Sequence, residues 1–119
     1  MEIRFRKKNK TIIIMVSGEI DHHTSKELKR QTESAFIEMA AKNIIFHFEK
    51  VTFMDSSGIG MLIGRYKQLL SVNGRICIVA ANEKITEIIL FSGLSTLIPL
   101  FDTIEDAFSY TEGREHHAV

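Results

Sequence analysis

Residues 54–60 read Met54-Asp55-Ser56-Ser57-Gly58-Ile59-Gly60, the most chemically unusual stretch of the chain. Two hydroxyls, a carboxylate and two glycines lie between an apolar segment and a helical pattern. A helix beginning there directs free backbone N–H groups and partial positive charge outward, an arrangement that favours an anion such as a phosphate. The plainer reading is an N-cap made by Ser or Asp. Paired serines with two glycines go beyond what a cap requires. Gly60 and Gly64, one helical turn apart, cost about 1 kcal/mol each relative to Ala, and they leave a smooth strip that another surface can approach.

Catalytic alternatives find little support. The Lys-Ser/Thr pair of a Walker loop is missing, and Gly-x-Ser-x-Gly of a nucleophile elbow is absent. Ser56 has no evident base in the sequence, leaving His22, His23 or His47 as spatial candidates. A second polar group, Glu19, Asp21, His22 and His23, follows an earlier apolar run. Adjacent histidines point in different directions on a helix or strand, so they do not suit one metal ion. In parallel folds, loops after strands gather along one edge of the sheet. The Asp21 and Ser56 loops are therefore expected side by side. His47 lies on an apolar strand and reads as a core or edge histidine. Arg4, Arg6, Lys7, Lys8 and Lys10 read as a solvated hairpin whose charges discourage edge pairing, with phosphate or membrane-surface contact as the alternative.

The elements that position these groups follow from periodicity. Ile3 and Phe5 alternate with Arg4 and Arg6, a half-exposed strand. A turn at Lys8-Asn9 leads to an Ile-rich strand from Thr11 to Val16, ended by Ser17-Gly18. Thr24-Ser25-Lys26-Glu27 reads as a capping box, with Thr24 as cap and Glu27 reaching back. The following helix places Leu28, Ala35, Phe36 and Met39 on one side. A strand at Ile44–Phe48 precedes the Ser56 segment. The next helix carries a stripe of Ile59, Leu62, Ile63, Tyr66, Leu69 and Leu70. Arg75–Ala80 is a strand, Asn82 caps a helix with Ile85, Ile88 and Ile89, and Ser92-Gly93 stops it. Leu97–Phe101 reads as an edge strand because it contains Pro99. Asp102-Thr103-Ile104-Glu105 reads as a capping box for a last helix. The order β-β-α-β-α-β-α-β-α predicts a single α/β domain, residues 1–112, with a mostly parallel mixed sheet packed with helices. Residues 113–119 form a polar tail.

At 119 residues the chain fits one domain, and 15 Lys+Arg balance 15 Asp+Glu. Zero formal charge argues against nucleic-acid binding driven by bulk charge. Cys77 is single and sits in the apolar run Ile76–Val79, which fits a buried thiol in a reducing compartment. No apolar stretch reaches the length needed to span a bilayer, and the N-terminus lacks a signal-peptide core. A soluble cytoplasmic protein is expected, with no membrane or nucleic-acid partner.

Gly18-Glu19-Ile20-Asp21-His22-His23-Thr24 and Phe53–Gly60, continuing through Gly64-Arg65-Tyr66-Lys67, resemble the STAS-domain anti-anti-sigma factors, and the sporulation type in particular. Ser92-Gly93-Leu94 also fits, and the likeness covers nearly the whole chain. The resemblance implies a regulatory binding protein, not an enzyme, with no cofactor of its own. Unphosphorylated, such a protein binds an anti-sigma factor that is also a serine kinase and so frees the sigma factor. The kinase uses ATP to phosphorylate the position matching Ser56, and a PP2C-type phosphatase resets it. Glu19, Asp21, His22, Thr24, Asp55, Ser57, Gly58, Gly60 and Arg65 are the partner-binding candidates under this likeness. The alternatives are a small nucleotide-binding or phosphotransfer enzyme using the Ser56 loop, a general-stress-type antagonist, or a STAS domain cut from a sensor or transporter.

Overall fold

The computed structural model describes residues 1–113. Two antiparallel strands, β1 (Glu2–Lys8) and β2 (Thr11–Ile20), open the chain. There follow α1 (Thr24–Glu38), β3 (Asn43–Met54), α2 (Ser56–Leu70), β4 (Ile76–Val79), α3 (Glu83–Ser92), a short 3-10 turn (Leu94–Thr96), β5 (Leu100–Phe101) and α4 (Ile104–Thr111). The strands lie in the spatial order β1-β2-β3-β4-β5, and every pair except β1-β2 is parallel. The expected α/β order and mixed sheet are therefore present.

Alternation along the strands divides the core. Ile12, Ile14 and Val16 of β2, with Ile44, Phe46 and Phe48 of β3, face one layer with Leu28, Leu62, Leu69, Ile85 and Ile89 of the first three helices. Ile45, Cys77 and Val79 face the other layer, under Ala107 and Phe108 of α4. Full burial of one such aliphatic side chain contributes about 1.5–3 kcal/mol. Burial also pushes the Cys77 thiol far above its usual range, so it is inert packing.

Several boundaries differ from the sequence reading. The hairpin turn is Asn9-Lys10, with Asn9 at φ 55°. Gly18 does not end β2. It takes φ 97° inside the strand, beside two register irregularities, and β2 runs on to Ile20. Similarly, β3 continues to Met54. Only Leu100–Phe101 forms the last strand, since the Leu97 and Ile98 N–H groups still donate to the Leu94 carbonyl at the end of the 3-10 turn, but β5 does lie at the sheet edge. Thr103, not Asp102, caps α4 by accepting the Asp106 N–H at 3.1 Å. Of the tail assigned to 113–119, residues 114–119 lie outside the described residues.

Candidate functional site

The lengthened strands bring both loops to the same sheet edge. Ile20 and Met54 are register partners at the ends of β2 and β3. The Asp55 N–H donates to the Ile20 carbonyl at 3.2 Å. Asp21 and Asp55 are thus the next residues on adjacent parallel strands, and each becomes the cap of its own loop.

Asp21 performs the capping that the sequence assigned to Thr24. Its Oδ1 accepts the N–H groups of His23 and Thr24, each at 2.9 Å. Thr24 Oγ1 in turn accepts the Asp21 N–H at 2.9 Å and donates to the Glu19 carbonyl at 2.8 Å. The reciprocal box is real but begins three residues earlier. Glu27 does not reach back. It pairs with Arg30 and Gln31, which hold its carboxyl down to about 2. The Thr24 N–H, foremost among several donors, lowers the Asp21 pKa against the upward pull of desolvation.

Asp55 caps α2 in extended backbone and accepts the Ser57 N–H at 2.9 Å. The Ser57 hydroxyl also donates to Asp55 Oδ1. That hydroxyl is the largest influence holding the Asp55 carboxyl below its usual range. Desolvation opposes it, and the backbone N–H groups of Ser57, Gly58 and His22 assist it. The His22 backbone bears on it from the neighbouring loop, and the Asp55 N–H to Ile20 carbonyl bond ties the two loops together.

The adjacent serines are not equivalent. Ser57 is half-buried and bound to Asp55, whereas Ser56 is exposed and its hydroxyl has no partner among the described residues. Ser56 is also the first residue of α2, where orphan N–H groups and the helix dipole favour added negative charge. His47 lies on the α4 side of the sheet, 3.6 Å from Glu49, while α2 packs on the other side. It is no base for Ser56. His22 and His23 are exposed, and His22 approaches the site through its backbone. Among the described residues no group of three His, Cys, Asp or Glu could hold a metal ion.

The remaining candidates separate by burial. Glu19 and Gly60 are exposed, and a Cβ on Gly60 would meet nothing within 4 Å. Gly58 is buried, and a Cβ there would lie 2.7 Å from Met54 Cγ and 3.0 Å from Ile20 Cγ2. Gly58 therefore lets α2 sit down on the joined strand ends and is not surface. Arg65 is 5% exposed and ion-pairs with Glu33 of α1 at 3.2 Å. Desolvation lowers its pKa, with Glu33 opposing. Gly58 and Arg65 thus lie beneath the surface that the sequence reading assigned them to. The sequence reading missed Phe53, 39% exposed on the last turn of strand before the loop, and Glu33. An aromatic next to Asp-Ser-Ser-Gly was a visible signal for the first. Nothing in the sequence marked Glu33 as the partner of Arg65.

The STAS domain family model matches residues 2–107. The chain is a STAS domain. An anti-sigma F factor antagonist of Paenibacillus polymyxa is 30% identical over 94% of this chain and 96% of that protein. Within the STAS domains, this chain accordingly belongs with the anti-sigma factor antagonists. The anti-sigma factor antagonist SpoIIAA in its unphosphorylated form matches with a TM-score of 0.72 at 28% identity, covering 94% of this STAS domain and 99% of that chain. The Bacillus cell fate determinant SpoIIAA in the phosphorylated form matches with a TM-score of 0.69 at 30% identity, covering 92% and 98%.

Proposed function

We propose that this STAS domain is a partner-switching anti-anti-sigma factor of the sporulation type, acting in the cytoplasm without catalytic activity or cofactor of its own. In its unphosphorylated form it docks the joined Asp21 and Ser56 loops on an anti-sigma factor that is also a serine kinase, which frees a sigma factor. Exposed Glu19, His22 and Gly60, half-buried Asp21, Thr24, Asp55 and Ser57, and the neighbouring Phe53 make up the docking surface. The kinase transfers the γ-phosphoryl of ATP to Ser56 Oγ, leaving ADP, and the hydroxyl proton is lost. A PP2C-type phosphatase hydrolyses the ester and returns Ser56 to use.

The observation that carries this reading is the contrast between two adjacent serines: Ser57 is tied to Asp55, and Ser56 stands exposed at a helix start with no hydroxyl partner among the described residues. Phosphorylation adds about −1.5 to −2 charges. The α2 dipole and N–H groups offset part of that charge, while Asp55 and Asp21 oppose it. The phosphate therefore weighs little on the fold and heavily on a partner surface pressed against it. Similar TM-scores to the two SpoIIAA forms support a switch that keeps the fold. The test is intact mass and peptide mapping after incubation with the cognate kinase and ATP. One phosphate on Ser56 is expected. Modification of Ser57 or Thr24 instead, or none at all, would refute the assignment.

A further inference from the structure

Arg65 presents an energetic puzzle. Arginine is almost never fully buried unless well paired. Here one amino group, Nη2, meets Glu33 at 3.2 Å, while Nε and Nη1 are buried with no hydrogen-bond partner among the described residues. Thr32 Oγ1, one residue before Glu33, is likewise orphaned. A desolvated guanidinium with one half-exposed carboxylate and two unpaired donors recovers little of its desolvation cost. Stability is a poor account of why it is there.

Its position supplies a better one. Glu33 is the tenth residue of α1 (Thr24–Glu38) and Arg65 the tenth of α2 (Ser56–Leu70). At 1.5 Å per residue each lies about 13 Å from the start of its helix. Both helices descend from adjacent parallel strands onto the same core layer, so they run side by side in the same direction. Apolar packing between them is non-directional, whereas the ion pair ties one fixed height on α1 to one on α2. Among the described residues, no other ion pair or side-chain hydrogen bond links α1 to α2. At the upper end the loops are joined by the Asp55 N–H, which donates to the Ile20 carbonyl at 3.2 Å.

We propose that the Arg65–Glu33 ion pair is a register clamp that keeps the N-termini of α1 and α2 level, making Arg65 a positioning residue for docking and phosphorylation at Ser56. This rests on the partner-switching reading above. Arg65 touches neither partner nor phosphate; it acts through the relative height of the two capped loops.

The test pairs a partner-free measurement with a kinetic one. Arg65→Met removes the cation and keeps a long flexible side chain, while half-exposed Glu33 rehydrates. Its melting temperature should equal or exceed that of the wild type. Amide hydrogen exchange at His22, Asp55 and Ser57 should accelerate about tenfold as the loops lose registry. The KM for Ser56 phosphorylation by the cognate kinase should rise about tenfold with kcat unchanged, a loss of positioning without loss of chemistry. Arg65→Lys should recover part of both effects. Wild-type exchange and wild-type KM in Arg65→Met overturn the clamp, as does a KM loss fully explained by a smaller folded fraction. If Arg65→Met does not fold, Glu33→Gln cuts the pair from its exposed side and must show the same two changes; wild-type values there also overturn it. Should the kinase not modify the wild-type chain, the functional reading fails, while the exchange measurement still decides the clamp.

Discussion

Ser56 and Ser57 differ by one position and have opposite chemistry. Phosphorylating Ser57 would require breaking its bond to Asp55 and placing a dianion against that carboxylate. Ser56 needs no such rearrangement. Ser56→Ala should therefore keep the wild-type stability to urea unfolding within about 0.5 kcal/mol, as for an exposed site, and stay unmodified by kinase and ATP in an intact-mass assay. Asp55→Ala removes the α2 cap and should cost about 1 kcal/mol in urea unfolding. Acidity tests the same carboxylates. Hydrogen bonds from the Thr24 N–H and from the Ser57 hydroxyl hold the Asp21 and Asp55 carboxyls, respectively, below the ordinary aspartate range. A lowered carboxylate contributes its stability fully above the unfolded pKa and loses it as pH falls through the folded one. Protection of the Thr24 and Ser57 amides should thus be constant above about pH 4 and decline below it. In Asp55→Asn the Ser57 amide should lose that acid-side decline, since the amide cap does not titrate. A decline that persisted unchanged in Asp55→Asn would show that another group governs the loop.

At the element scale, two glycines two residues apart on α2 invite opposite outcomes. Gly60→Ala meets no atom within 4 Å and gains about 1 kcal/mol of helix propensity. It should raise the melting temperature by roughly 3–6 °C while weakening kinase binding, because the added methyl stands on the proposed docking surface. Gly58→Ala drives a methyl against Met54 and Ile20 and should lose about 1–3 kcal/mol from overpacking. Equal effects of the two on melting would contradict this geometry. These same elements show what the residue order could convey. The Asp-Ser-Ser-Gly helix start, the three-helix stripe pattern and the Asn82 cap were legible because each is a local signal. The true length of β2 was hidden because Ser17-Gly18 is also a stop signal, and only the neighbouring strand makes a kinked continuation favourable. Asp21-x-x-Thr24 and Thr24-x-x-Glu27 are competing capping strings, and continuation of β2 to Ile20 selects the first. The buried face of α2 was misjudged by about one position. The family likeness puts Arg65 on the partner surface and the apolar stripe puts Leu70 inward, yet Arg65 is buried and Leu70 is 58% exposed.

For the molecule as a whole, the question is whether a phosphate on Ser56 changes the fold or only its surface. The core is built from Ile14, Phe46, Leu62, Ile78 and Ile89, all fully buried, and Ser56 contributes nothing to it. The added charge sits at the exposed start of α2, where the helix dipole offsets it by about 0.3–1 kcal/mol. Repulsion from Asp21 and Asp55 is of similar size and screened by solvent. These opposed contributions leave fold stability nearly unchanged. A partner that covers the loops removes that solvent, so the same charge is then far more costly. The phosphorylated protein should accordingly give a wild-type circular dichroism spectrum and a melting temperature within a few degrees. Its affinity for the anti-sigma kinase should fall at least a hundredfold, about 2.8 kcal/mol. Ser56→Asp carries one charge and lacks the phosphate's oxygen geometry, so it should lose only about tenfold, roughly 1.4 kcal/mol. Tight binding by the genuine phosphoprotein would rule out an electrostatic switch. An altered spectrum accompanying lost binding would instead place the switch in the fold, and raising the salt concentration separates the two further. Screening should partly restore binding of the phosphoprotein if charge is responsible, and should leave a refolded surface unable to bind.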